Sequence, residues 1–81
     1  MTEQEVLNEF ETFGWKVIRN DNICMVLKRY EVVLTISKLT KIYHCCLTTA
    51  NDYRWAIDMY DHYLLHKLFK IWGWLLDEKE D

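Results

Sequence analysis

The chain has 81 residues, of which 51% are hydrophobic and 15% aromatic, with no proline and a net charge of −3. This composition predicts one small folded domain over residues 1–81 and excludes an intrinsically disordered chain. The mixed charge argues against a nucleic-acid binder of the usual basic kind. No run of about 20 apolar residues is present, which argues against an integral membrane protein.

The first 14 residues predict a short amphipathic helix. Thr2 and Glu5 have the spacing of a capping box, and Gly14 is placed to end the helix in a left-handed conformation. Four apolar residues fall on one face of this helix and are expected in the core: Val6, Leu7, Phe10 and Phe13.

Residues 15–49 change from a helical period to alternation of apolar and polar positions, which predicts β-strands. Turn-forming clusters at residues 19–22, 29–31 and 37–40 separate the alternating segments. Connections this short favour three or four antiparallel strands arranged as a meander.

Residues 50–77 predict one long helix, followed by an acidic tail at residues 78–81. A first apolar stripe, expected to face the core, consists of Tyr53, Ile57, Tyr60, Leu64, Leu68, Ile71 and Leu75. A second stripe lies only in the C-terminal half and consists of Leu65, Phe69, Trp72 and Leu76. A helix of this length spans about 39 Å and a strand only about 20 Å, so the helix should overhang the sheet.

These elements predict an α+β fold with both helices packed on one face of an antiparallel sheet. Because the second stripe would lie on the overhang, it requires cover from a partner. The predicted partner-binding residues are this stripe and the polar side chains near it: Leu65, Phe69, Trp72, Leu76, Asp58, Asp61, His62 and His66. The alternative is that Gly73 ends the helix near Trp72, so that Trp74 and the following leucines return to the core of the same domain.

No pattern of residues indicates catalysis, a cofactor or a bound metal. His62 and His66 are four residues apart, and a zinc site with His44, Cys45 and Cys46 can be sketched. Neighbouring cysteines, however, lack the separation of two to four residues that zinc fingers use. We therefore expect a protein that is not an enzyme, with no small-molecule substrate.

The cysteines and the N-terminus suggest a compartment. Three cysteines, Cys24, Cys45 and Cys46, are an odd number and favour reduced thiols over a disulfide framework. The chain starts with acidic residues and does not look like a signal peptide. Together these features predict a cytoplasmic protein.

The function expected from these observations is a small non-catalytic module that binds a protein through a homodimer or a helix face. A small chain rich in Asn, Lys, Ile and Tyr resembles phage and mobile-element accessory proteins, such as anti-CRISPR proteins, in size and style. That resemblance implies inhibition of a host enzyme or defence complex, and no residue carries over from it.

Two alternatives are a peripheral membrane protein using the last helix and a nucleic-acid binder using basic and aromatic residues of the sheet face. The aromatic residues in the second alternative are Trp15, Tyr30, Tyr43 and Trp55, and its basic residues are Lys16, Arg19, Lys28, Arg29, Lys38 and Lys41.

Overall fold

The structure is a computed structural model that describes residues 1–40, 42–47 and 57–74. The elements within these ranges are α1 (Glu3–Thr12), β1 (Lys16–Asn20), β2 (Cys24–Arg29), β3 (Val32–Ser37), β4 (Tyr43–Leu47) and α2 (Met59–Ile71). The four strands form one antiparallel sheet in the order β1-β2-β3-β4. The predicted α+β meander is confirmed.

The start of α1 carries the predicted capping box. The N–H of Glu5 donates to Oγ1 of Thr2 at 3.2 Å, and the N–H of Thr2 donates to Oε1 of Glu5 at 2.7 Å. These bonds satisfy two N–H groups that a helix start otherwise leaves without partners. Gly14 has φ +97° and follows the helix, as the sequence predicts for a chain that must leave a helix in the left-handed region.

The β1–β2 turn is held by the carboxylate of Asp21. Its Oδ1 accepts the N–H groups of Ile23 and Cys24, both at 2.9 Å, and its Oδ2 pairs with Nε of Arg19 at 2.7 Å. The hydrogen bond from Cys24, followed by those from Arg19 and Ile23, lowers the pKa of Asp21 to about 2. The polar cluster after β1 therefore acts as a turn, as the sequence predicts.

The β2–β3 hairpin closes with a two-residue loop. Arg29 pairs with Val32, which leaves Tyr30 and Glu31 as the connection. Tyr30 has φ +57° and is the one non-glycine residue with positive φ in the described part of the chain. Short hairpins favour positive φ because it matches the twist of the strands, but glycine or asparagine normally occupies such a position.

The core lies between one sheet face and the two helices. Met25 and Leu27 of β2 and Leu34 and Ile36 of β3 point inward, and the residues between them on these strands are less buried. This alternation is what a sheet covered on one face requires. The buried hydrophobic residues are Val6, Leu7, Phe10, Trp15, Met25, Leu27, Leu34, Ile36, Cys45, Ile57, Leu64, Leu65, Leu68 and Phe69.

The second helix differs from the prediction. It was expected over residues 50–77, but α2 runs from Met59 to Ile71, with Asp58 as its N-cap and Trp72 as its C-cap. Residues 50–56 and 75–77 of the predicted helix lie outside the described residues. An aspartate at the N-cap competes with a continuous helix because its side chain binds the N–H groups of the next turn.

The end of α2 follows the alternative that the sequence offered. Gly73 has φ +89°, and the chain reverses there so that the N–H of Trp74 donates to the carbonyl of Phe69. The Trp74 ring packs 5.8 Å from the Phe69 ring, measured between centroids, and contacts the core. The predicted overhang of the helix is therefore wrong on the C-terminal side.

Candidate protein-binding surface

The described members of the second apolar stripe do not form an exposed apolar surface. Leu65 and Phe69 are completely buried in the core of the same chain, which corrects the prediction that they face a partner. Trp72 is half-buried: its ring packs on Phe69 and its Nε1 donates to Oε1 of Glu3 at 2.8 Å. Leu76 lies outside the described residues. The two stripes are the flanks of one broad core-facing side of α2.

Asp61 lies in the middle of that broad side and is only 1% exposed. The sequence prediction that it is an accessible partner-binding acid is therefore wrong. Its Oδ1 accepts the indole N–H of Trp15 at 2.9 Å, and its Oδ2 accepts a hydrogen bond from Nη2 of Arg29 at 2.9 Å. The Arg29 guanidinium also lies over the Trp15 ring, 4.3 Å from its centroid.

The carboxylate of Asp61 also takes part in capping the N-terminus of α2. Asp58 and Asp61 form a capping box, in which the N–H of Asp61 donates to Oδ1 of Asp58 at 2.9 Å and the N–H of Asp58 donates to Oδ2 of Asp61 at 3.0 Å. A buried charge of this kind is tolerated only when it is paired and hydrogen-bonded. This cluster therefore joins the residue before β1, the end of β2 and the start of α2, and it has a structural role.

The remaining predicted partner-binding residues lie at separate places on α2. Asp58 is exposed at the N-cap, and His66 is half-buried. The Nδ1 atom of His62 is 3.0 Å from the hydroxyl oxygen of Tyr43. Within the described residues, no three His, Cys, Asp or Glu side chains come together as metal ligands.

The structure separates the aromatic residues that the nucleic-acid alternative would need on one face. Trp15 is buried beneath Arg29, and Tyr43 packs against the core. Tyr30 alone among the described members is highly exposed, whereas Trp55 and Lys41 lie outside the described residues. Stacking on bases requires exposed ring faces, and the described members of this set do not provide a shared platform.

The described helices also bear on the membrane alternatives. Within residues 1–40, 42–47 and 57–74, no helix has the length and apolar character needed to cross a bilayer. The large apolar side chains of α2 that the peripheral alternative would insert, Leu64, Leu65, Leu68 and Phe69, are instead buried in the core.

A different apolar surface is exposed on the outside of the helical layer. We call it the outer aromatic patch, and it consists of Phe13, Met59, Tyr60 and Tyr63. The rings of Phe13 and Tyr60 are 4.4 Å apart and those of Tyr60 and Tyr63 are 5.5 Å apart, measured between centroids. Phe13 is 48% exposed, Tyr63 50% and Met59 86%. The C-terminal end of α1 and the first turns of α2 thus present the exposed Phe13 and Tyr63 rings and Met59 to the outside, with the half-buried Tyr60 ring in contact with both other rings.

Tyr60 connects this patch to the acidic side of α1. Its hydroxyl donates to Oε1 of Glu9. This hydrogen bond, together with loss of hydration, raises the pKa of Tyr60 to about 12 because the neutral phenol is the form that can donate. On the other side of the patch, Nζ of Lys67 lies 4.9 Å from the centroid of the Tyr63 ring.

The sequence contained part of the signal for this patch. Met59 and Tyr63 are four residues apart and so share a face of any helix that contains them. Helical spacing instead predicts that Phe13 and Tyr60 face the core. Tyr60 does pack partly against the core, whereas Phe13 is exposed. The exposure of Phe13 depends on the angle at which α1 and α2 pack, and the spacing within either helix does not report that angle.

Comparison with known proteins adds no assignment. No protein-family model, no curated protein and no solved structure matches this chain.

Proposed function

We propose that the protein is a non-catalytic protein-binding module that docks on its target through the outer aromatic patch. The observation that supports this proposal is the exposure of Phe13, Met59 and Tyr63 beside a core that is already filled by other side chains. Tyrosine, phenylalanine and methionine are enriched in the centres of protein interfaces. Scattered apolar residues on a surface are ordinary, but contiguous rings indicate a binding site.

The patch has the rigidity that favours binding. Met59, Tyr60 and Tyr63 lie on a capped helix whose inner side is buried, and the Tyr60 hydroxyl is held by Glu9. Side chains ordered before binding lose less conformational entropy when a partner covers them. Complete burial of one such side chain contributes about 1.5–3 kcal/mol before the costs of association.

The mode of action that we propose is occupation of the target surface. A single small domain can block a target surface without a catalytic site. The inhibitory role that its resemblance to phage accessory proteins implies would work in this way. A homodimer through the same patch is a second arrangement within this proposal, since aromatic side chains on one surface can pack on their own copies around a two-fold axis.

A site-specific photo-crosslinker tests the proposal. The reactive group replaces Met59 in the cells that produce the protein, and the matched control places it at Asn22, in the exposed β1–β2 turn. We expect a discrete protein adduct from position 59, lost when Tyr63→Asp is added, and no such adduct from position 22. Absence of an adduct from position 59, or equal adducts from both positions, would contradict the proposal.

The homodimer is tested separately by light scattering across concentration. A dimer that becomes a folded monomer in Tyr63→Asp would place the patch at a self-interface. A monomer at all concentrations would leave a foreign partner as the target of the patch.

A further inference from the structure

The acidic residues beside the outer aromatic patch indicate the chemistry of the partner. We propose that Glu9, with the rings of Phe13 and Tyr60, receives an arginine or lysine side chain from a basic segment of the partner protein. This inference rests on the proposed function, because it adds the chemistry of the partner to a surface already argued to bind protein.

The charges of α1 provide the first support. The helix contains four acidic and no basic residues: Glu3, Glu5, Glu9 and Glu11 carry the negative charge. Within the described residues, ion pairs join Arg19 to Asp21 and Arg29 to Asp61, and neither includes a glutamate of α1. A basic partner would meet complementary charge on this helix, which favours both encounter and correct orientation.

The arrangement around Glu9 provides the second support. Its carboxylate accepts the Tyr60 hydroxyl group, and the Tyr60 ring lies against Phe13. A carboxylate beside two aromatic rings offers a cation both an ion pair and ring faces. Glu9 retains a second carboxylate oxygen and the remaining lone pairs of the first for a further donor.

The same chain already holds cations over aromatic rings, in one case together with a carboxylate. In the core, the Arg29 guanidinium lies on the Trp15 ring while it binds the Asp61 carboxylate. At the surface, the Lys67 ammonium lies over the Tyr63 ring. A cation of the partner would bind the Glu9 carboxylate and lie on a neighbouring aromatic ring, as Arg29 binds Asp61 and lies on Trp15.

Other occupants fit less well. Nucleic acid would bring phosphate charge towards the glutamates of α1, where repulsion opposes binding. A second copy of the chain could offer the exposed Lys16 and Lys28 at the start of β1 and in β2, and light scattering would detect that arrangement as self-association.

The experiment uses two end-capped nonapeptides with the full chain. One contains three arginines and two leucines among glycines, and in the other each arginine is citrulline, which keeps the shape of the side chain but not its charge. Binding is followed by NMR through the amide signals of Phe13, Tyr60 and Tyr63. We expect the arginine peptide to shift these signals and to bind about tenfold more tightly than the citrulline peptide.

Variants of the chain assign the effect to one carboxylate. Glu9→Gln keeps an acceptor for Tyr60 but removes the charge, and it should weaken the arginine peptide about tenfold while leaving the citrulline peptide unchanged. The matched control is Glu11→Gln on the same helix, which changes the net charge equally and should have little effect. Phe13→Leu keeps an apolar side chain but removes a ring, and it should weaken the arginine peptide severalfold.

The outcomes separate this inference from the proposed function. Equal binding of both peptides at the patch would overturn the preference for a cation and leave the protein-binding surface intact. Equal loss in Glu9→Gln and Glu11→Gln would overturn the site at Glu9, since it would show attraction to net charge alone. No binding of either peptide would also overturn this inference, and the crosslinker at position 59 would then decide separately whether the patch binds protein.

Discussion

Trp15 and Asp61 are 46 residues apart in the chain, yet the indole N–H of Trp15 donates to the Asp61 carboxylate at 2.9 Å within the buried core. The contact joins the residue that precedes β1 to the first turn of α2. Arg29 completes it from the end of β2, so that one carboxylate ties three segments of the chain together. This hydrogen bond and the Arg29–Asp61 ion pair form a polar cluster in the core. Loss of the cluster should lower the free energy of unfolding.

Removal of the Asp61 carboxylate should destabilise the protein strongly. Asp61→Ala removes the buried carboxylate that binds Nη2 of Arg29 and that accepts the N–H of Trp15. We expect a loss of about 3–5 kcal/mol in the free energy of unfolding, measured by urea denaturation. Asp58→Ala, which removes only the exposed N-cap side chain, is the control and should cost about 1 kcal/mol. Similar losses in the two variants would show that capping is the whole contribution of Asp61.

Truncation of Phe69 should distinguish the core from the outer surface. Phe69 is completely buried, so Phe69→Ala creates a cavity and should lower the free energy of unfolding by about 3–5 kcal/mol. Tyr63→Ala on the outer aromatic patch should change it by no more than about 0.5 kcal/mol. Thermal unfolding followed by circular dichroism measures both. A stable Phe69→Ala protein with altered association would restore the interface first expected from the sequence.

Ionisation of Tyr60 should report its hydrogen bond to Glu9. The raised pKa of about 12 predicts that the Tyr60 phenol titrates about two pH units above an ordinary tyrosine, whose pKa is about 10. The difference in phenolate absorbance between the wild-type chain and Tyr60→Phe isolates this group. Glu9→Gln should lower the pKa towards the ordinary value, because the charge that favours the neutral phenol is gone.

The same shift has a consequence for stability. A pKa that is higher in the folded than in the unfolded chain stabilises the folded state fully below pH 10. That contribution declines as the pH rises from about 10 through about 12. The decline should be absent in Tyr60→Phe, and its persistence there would assign it to another group.

The hairpin tip at Tyr30 should be strained. Tyr30 has φ +57° and is 89% exposed, so its side chain gains little from burial while its backbone occupies a region that glycine tolerates better. Tyr30→Gly should therefore stabilise the protein by about 1 kcal/mol. The neighbouring Glu31→Gly is the matched control and should not stabilise, because Glu31 does not have positive φ. If Tyr30→Gly destabilises the chain, the side chain itself must contribute to the hairpin.

Local patterns predicted most of the architecture. The capping box at Thr2, the left-handed Gly14 and the polar turn around Asp21 depend on residues that are close in the chain. Alternation in β2 and β3 likewise assigned Met25, Leu27, Leu34 and Ile36 to one face. The caps and turns can be read from sequence because their hydrogen bonds extend over four residues or fewer. The alternation can be read because successive residues of a strand face opposite sides of the sheet.

The extent of α2 and its environment could not be read in the same way. The helical spacing of apolar residues continues on both sides of Asp58, so it does not show where the helix begins. The capping hydrogen bonds of Asp58 set the start of α2 at Met59. Asp58 and Asp61 are three residues apart and so predict an exposed charged face of the helix, because aspartate is seldom fully buried. The burial of Asp61 depends on Arg29 and Trp15, which the chain brings to it only by folding.

By itself, the sequence determined the order of helices and strands, the turns and most of the residues that enter the core, because local hydrogen bonding and apolar periodicity encode these features. Only the tertiary structure decided that Leu65 and Phe69 are internal, that Asp61 is paired in the core, and that Phe13, Tyr60 and Tyr63 meet on the outside. The physical reason is that these outcomes depend on how two helices pack on one sheet and on contacts between residues far apart in the chain.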